Sequence, residues 1–458
     1  MTRAVGGLAA ILVATTASGA LARQTSSDPL PDIGVLSDSA PIQSQSASGL
    51  PLLKLNGVAQ ETRTRASPAF GTTRGDDQAA YLLNLDARGL VGEGRPLRLN
   101  YSLRASATQD TPSGDGIRLY VRETYLTWTP SDTSALNLGR VNYRSGVAYA
   151  YNPTDLFRGR SNVDEVSLDP LVRRESRLGV VMVSALALFD KGAVTAIVAP
   201  KLSEPRPFGY VRPQGVGLDL YRTNARARGL LKASYALDHN FAPEVLLLYD
   251  DDRWSAGLNL STGLGDTVVL FLEGRAGVGD SLLARSTDFA RETGVLPPGP
   301  EGLPGAKRDQ TFHGLATGFS YSPTSKINLV LEYDHSSAAP SAAQWSRLSK
   351  IAAGGGLAQA EFRLLNYFAS NEEELRIRDA VFMRVGADSV FVDRLGGSVL
   401  ANISPQDGSG LVQATAVLDL STGWSVSLVG ATTFGGDQTV YGGAALARSL
   451  SIGFAKTF

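Results

Sequence analysis

The sequence predicts an all-β protein, a transmembrane antiparallel β-barrel of about eighteen strands behind a cleaved signal peptide. Three observations predict it. The amino terminus carries a short basic and apolar export segment. From Leu52 onward, apolar and polar residues alternate at period two in short runs, and tight turns interleave with long loops. The last stretch, 446–458, keeps that alternation to the end: Leu450, Ile452, Phe454 and Phe458 share one face, and Ser449, Ser451, Gly453, Ala455 and Thr457 share the other.

The export segment comes first. Arg3 precedes an uncharged apolar run over 4–14, and Ala20-Leu21-Ala22 forms a small-x-small cleavage site before Arg23. Residues 1–22 therefore read as a signal peptide. Residues 23–50 are rich in Ser, Pro, Asp and Gln without a period, and read as a disordered periplasmic leader. The barrel is expected over 51–458. With 0 cysteines, lipid attachment after the signal, disulfides, thiolate metal sites and thiol nucleophiles are all excluded. No later uncharged apolar run reaches the ~18 residues of a spanning helix, so any membrane crossing falls to strands. A net charge of −1 and 49 glycines fit a barrel whose two faces cancel in hydropathy.

The strands follow in order. Tyr81, Leu83 and Leu85 oppose Asn84 and Asp86; Leu97, Leu99, Tyr101 and Leu103 oppose Arg98, Asn100, Ser102 and Arg104. Trp254, Ala256 and Leu258 oppose Ser255, Gly257 and Asn259; Leu329, Leu331 and Tyr333 oppose Glu332 and Asp334. Short connections fall at 129–133, 189–192, 237–240, 263–266, 322–325 and 421–423, and long ones at 63–78, 144–174, 200–225, 279–309 and 336–376. That asymmetry is the one expected of periplasmic turns and external loops. With 250–252 and 404–410 as short external loops the count is eighteen, and sixteen is the alternative. The alternation breaks near Glu123 and again between Ala135 and Tyr143, where a β-bulge or a strand edge is expected.

The terminal alternation ending in Phe458 resembles the C-terminal sorting strand of bacterial outer-membrane β-barrels. The resemblance implies an outer-membrane location in a Gram-negative bacterium and recognition by barrel-assembly machinery. Lys456 departs from the pattern on the outward face, where its stem can snorkel at a membrane interface. A second resemblance lies in residues 138–157, LGRVNYRSGVAYAYNPTDLF, which are similar to a stretch of large porin-like barrels including alginate-export-like porins, with Ser145 in place of the expected tryptophan. It implies an inward-folded, arginine-bearing constriction.

A barrel of sixteen to eighteen strands encloses an aqueous channel unless loops fold into it. The 144–174 and 336–376 loops are the candidate obstructors, the second with a helix expected over about 341–365, interrupted at Gly354-Gly355-Gly356. Glu372-Glu373-Glu374 reads as a solvated acidic loop. The pore-lining candidates are Arg88, Arg98, Arg104, Arg140, Arg144, Arg158, Arg177, Arg275, Arg378 and Arg384, with Glu273, Glu332 and Asp334 as opposing acids. A predominance of guanidinium over carboxylate favours anionic solutes. A wall of mutually satisfied salt bridges is the competing reading.

Enzymatic chemistry has little to work with. There are 3 histidines, at 239, 313 and 335, and only Asp334-His335 at an external rim offers a dyad. Asp250-Asp251-Asp252 reads as an acidic turn rather than a cation site. No phosphate loop, zinc spacing, cofactor motif or nucleic-acid module is present. The expected work is passive or facilitated diffusion of small hydrophilic solutes. The alternative is a structural or adhesive barrel with a blocked lumen and partner-binding external loops.

Overall fold

The computed structural model describes residues 51–458 except 73–74, 112–113, 165, 211, 213, 239, 391 and 422. The expected signal peptide and leader, and His239, lie outside the described residues.

The chain lays down nineteen strands in one sheet. The first seven are β1 (Leu52–Thr64), β2 (Asp77–Val91), β3 (Leu97–Gln109), β4 (Gly116–Ser131), β5 (Ser134–Val141), β6 (Val180–Phe189) and β7 (Gly192–Ala199). After the three-residue β8 (Gly215–Gly217) come β9 (Arg228–Tyr235), β10 (Glu244–Asp250), β11 (Arg253–Leu264), β12 (Val268–Gly279), β13 (Gln310–Thr324) and β14 (Ile327–Ser336). The circuit ends with β15 (Asp379–Asp388), β16 (Leu395–Ser404), β17 (Ser409–Ser421), β18 (Trp424–Phe434) and β19 (Leu446–Thr457). Each strand other than β8 pairs antiparallel with its neighbours, β7 passing directly to β9, and β1 closes on β19 from Lys54 opposite Thr457 to Thr64 opposite Leu446. Eighteen strands thus make a closed ring.

The outward face is apolar where the period demanded it. Ile452 is 57% exposed while the adjacent Ser451 is 3%. Trp254, Val245, Leu231 and Val183 are likewise exposed on the outer wall, and Ser255, Asn259 and Ser184 are buried on the inner one. Water penalises such a continuous apolar band, and a bilayer does not. Lys456, the outward exception, lies over the rings of Trp424 at 5.4 Å and Phe458 at 5.7 Å, an interfacial cation–π clamp.

Both expected irregularities have a physical origin. Ser102 pairs with Glu123 and Leu103 with Val121, so Arg122 is the extra residue of a bulge. The bulge lets Arg122 and Glu123 both face the lumen. The second break is a strand edge. β5 keeps its register to Val141 opposite Val180 and then leaves the wall. The upper part of β4 therefore lacks a β5 partner, and β8 supplies one, pairing parallel with Arg118–Leu119–Tyr120.

The connections segregate as expected, with tight turns at one rim and long loops at the other. The loop 142–179 carries α1 (Pro170–Glu175), 200–227 carries α2 (Leu220–Thr223), and 280–309 carries α3 (Leu282–Glu292). The loop 337–378 carries α4 (Ala342–Ala352) and α5 (Gly356–Asn371). Ser341 caps α4 through a reciprocal bond with Gln344, and the break falls at the expected glycines. These helices pack into the barrel mouth. Trp345, Leu348, Phe362, Leu365 and Phe368 meet Leu282 and Leu283 of α3, Val330, Phe382, Leu400 and Leu411 of the inner wall, and Val440 and Tyr441 of the last loop. The long-loop half of the barrel therefore has a core of its own. The 250–252 turn is a hairpin with Asp251 at φ 46° and Asp252 at φ 75°, which explains its acidic residues by turn chemistry.

Candidate functional site: a lumen narrowed by an anchored loop

The loop 142–179 crosses the lumen and is held there by two wall carboxylates. Glu332 of β14 accepts from three consecutive amides, Tyr149 at 2.6 Å, Ala150 at 2.9 Å and Tyr151 at 3.0 Å. Glu273 of β12 accepts from the Val147 and Thr154 amides at 2.9 and 2.8 Å and from the Thr154 hydroxyl at 2.8 Å. Both carboxylates are 0% exposed. A loop crossing a lumen needs partners for its amides, and ionised acceptors are the strongest available. Tyr151 and Ala148 also pack on Phe271 and Ala316, while Leu156 and Phe157 pack on Met182, Ile197, Leu246 and Leu248.

A second set of contacts locks this loop to the others. Glu374 pairs with Arg158 at 3.2 Å and Arg285 at 3.1 Å. Glu373 pairs with Arg177, which also binds Asp155 at 2.7 Å; Glu372 pairs with Arg226 at 3.3 Å. Burial alone would disfavour the Glu374 charge, but Arg285 and Arg158 prevail and hold its carboxyl down at about 2. The acidic run is thus not a solvated loop. It is a buried hub joining four loops, a role invisible to local composition because its arginines come from distant segments.

Below the crossing loop, a cavity of about 1460 Å3 runs to the tight-turn rim, from Arg144, Gly146 and Tyr149 at one end to Lys54, Lys326, Asp388 and Asp419 at the other. Its wall is largely hydroxyl and amide, including Asn137, Ser184, Asn259, Asn328, Ser427 and Ser451. Near the crossing loop it is charged: Arg144, Arg174 and Arg384 face Glu123, Asp169 and Glu175.

The predicted residues separate into three groups, with Arg378 and Arg140 apart from them. Arg144 and Arg384 line the cavity, Arg384 donating to Asp169 at 3.2 Å. Arg88, Arg98 and Arg104 lie on the inner face of β2 and β3, and Arg104 grips Asp86 through two bonds of 2.8 and 3.1 Å. Arg158, Arg177 and Arg275, with Glu273, Glu332 and Asp334, are on the lumen side but are covered by or engaged with the loops rather than bordering the cavity. Arg378 stands one residue before β15, its backbone bonded to Pro340 and Ser336.

Arg140 departs from the expectation. It shares the outward parity of Leu138 and is paired with Val181, and its guanidinium donates to the Leu218 carbonyl beneath the 200–227 loop. The strand parity beyond Gly139 placed it there. The Asp334-His335 pair is also split by the pleat. Asp334 is 0% exposed on the inner side, whereas His335 is bound through Nδ1 to Asp379 at 2.7 Å and stacks on His313 at 5.1 Å.

Arg122 was missed by pattern reading, whereas Arg174 belongs to the arginine cluster read around the 144–174 loop. Arg122 approaches Asp86 at 3.3 Å through the bulge, whose parity change was the available signal. Arg174 turns back onto the Ser145 carbonyl at 2.8 Å. Arg144, like Arg88 and Arg98, has neither an ion pair within 4 Å nor a side-chain hydrogen bond among the described residues, and of these it alone borders the cavity. Burial, and Arg174 beside it, pull its guanidinium below its ordinary value.

The fold and site together define a transmembrane β-barrel with an inward-folded loop above an aqueous cavity. No family model and no curated protein matches the chain. Solved structures similar to it in overall shape include three Pseudomonas aeruginosa proteins. OccK11 (OpdR) has TM-score 0.47 and 11% identity, over 89% of this chain and 95% of that one. OccD3 (OpdP) has TM-score 0.49 and 10% identity, over 89% and 91%. OpdK, solved with vanillate, has TM-score 0.48 and 10% identity, over 89% and 98%. The alginate-export-like resemblance of 138–157 finds no matching family model, although that stretch does fold inward.

Proposed function

We propose that this protein is an outer-membrane channel of a Gram-negative bacterium that passes small hydrophilic solutes, anionic ones preferentially. The observation that carries the reading is the polar cavity ending at Arg144, a guanidinium without a partner among the described residues, beside Arg174. Solutes crossing there exchange water for hydroxyls, amides and the uncommitted guanidinium of Arg144. Arg88, Arg98, Arg104 and Arg122 extend the basic wall on β2–β4. Export would use the 1–22 signal peptide, with 23–50 as a periplasmic leader, and β19 with Phe458 is the segment we assign to the barrel-assembly machinery.

Liposome swelling tests this. Vesicles carrying the barrel should swell faster in small organic acids than in neutral sugars of the same size, and Arg144→Ser with Arg174→Ser should erase the difference. Equal rates in the unsubstituted protein would contradict the anion preference. A second reading is supported by the packed core of α3, α4 and α5 in the long-loop half: a closed barrel whose external loops bind a partner. It predicts no swelling in any solute.

A further inference from the structure

We propose that the long-loop side carries a separate binding site for the carboxylate or similar oxyanion head of a small solute, centred on Arg160 and Arg226. The site deepens the channel reading, on which it rests, by giving an incoming solute a docking point above the crossing loop. Four loops meet at a cleft of about 30 Å3, bordered by Arg160, Arg222, Arg226 and Arg228 together with Phe289, Glu292 and Glu372. That volume holds about two water-sized atoms, the size of a carboxylate's oxygens. Four guanidiniums face Glu292, Glu372 and, against Arg226, Asp250, which leaves a small surplus of positive charge.

Arg160 makes the surplus specific. It is only 7% exposed and has no ion pair within 4 Å among the described residues; its guanidinium donates to the Arg206 carbonyl at 2.9 Å. It lies against Phe289 at 4.7 Å and Phe208 at 5.7 Å, and its backbone sits at φ 57°, a region that disfavours side chains. A buried cation without a counter-ion is costly, and strained backbone holding it adds to that cost. Burial, with Arg222 and Arg226 close by and only partly offset by Glu372, pulls Arg160 down to about 10, a direction that a bound anion reverses.

The neighbours leave the role to two residues. Arg222 is committed to the Arg160 carbonyl at 2.8 Å and to that of Asn162, and Arg228 to the carbonyls of Leu156 and Thr223. Arg226 remains 39% exposed along its side chain, although it contacts Glu372 at 3.3 Å and Asp250 at 3.6 Å. An entering oxyanion would bridge Arg160 and Arg226, competing with Glu372 for the latter.

Calorimetric titration of the refolded full-length chain with sodium acetate, and separately with sodium phosphate, at fixed ionic strength tests the site. Saturable binding of either is expected, weakened about tenfold or more in Arg160→Gln and Arg226→Gln and unchanged in Arg308→Gln, whose ion pairs lie on the exposed loop surface. Absence of saturable binding in the unsubstituted protein, or equal loss in Arg308→Gln, overturns it. Should Arg160→Gln not fold, as judged by gel mobility without heating, Arg226→Gln decides. Single-channel recording of the same samples separates the two readings: binding by a silent barrel keeps the site and removes the channel, and conductance without binding does the reverse.

Discussion

Glu374 shows what a single residue contributes to the closed mouth. Its ionised form is favoured by Arg285 and Arg158, so its carboxyl titrates at about 2 rather than its ordinary 4.5. The sign follows directly: the stabilisation is fully present above 4.5 and is lost as pH falls towards 2. Cleavage of the external loops by an acid-active protease should therefore stay low at pH 5 and rise between pH 4.5 and 2. In Glu374→Gln that rise should be absent and the loops should already be cleaved faster at pH 5. A rise centred near pH 6 would mean that another group controls the mouth. Glu332 acts in the opposite half of the same loop. Its replacement by Gln turns one of the two oxygens serving three amides into a donor, and a loss of roughly 2–3 kcal/mol is expected in the denaturant unfolding of the refolded barrel. A change of only a few tenths would indicate that the amides find water instead.

Among the elements, the hairpins were legible because period two and turn chemistry are local properties. The long helical hairpin was also legible, through Ser341 and the glycines at 354–356, and its second helix runs on to Asn371. The helix α3 and the hub at 372–374 were not legible. Their partners, Phe208, Arg158, Arg177 and Arg226, come from other loops, and no spacing within one segment announces such a meeting. Arg140 was misplaced for a related reason, since parity decides its face and the chain leaves the wall one residue later. The crossing loop itself depends on Gly146, which sits at φ 92° and would place a Cβ 2.3 Å from the Glu273 carboxylate. Gly146→Ala should combine backbone strain with displacement of that anchor. We expect a loss of more than about 1 kcal/mol in unfolding stability, together with noisier and larger conductance steps. An Ala variant indistinguishable from the parent would show that Glu273 is not the anchor.

At the scale of the whole molecule, the ring and its contents serve different ends. Eighteen paired strands satisfy the backbone within the bilayer, and the apolar outer face fits the lipid. The lumen side is divided between a packed mouth and an open cavity, with the crossing loop as the partition. Acidic and basic wall residues mostly hold loops in place: Glu273 and Glu332 bind amides, and Arg384 binds Asp169. The charges left to meet a solute are few, and Arg144 is foremost among them.

The most direct test of the central claim is single-channel recording in a planar bilayer under a potassium chloride gradient. Discrete openings are expected, with a reversal potential on the anion-selective side that moves towards zero in Arg144→Ser. A folded barrel that stays silent, or openings that prefer cations in both proteins, would contradict the account.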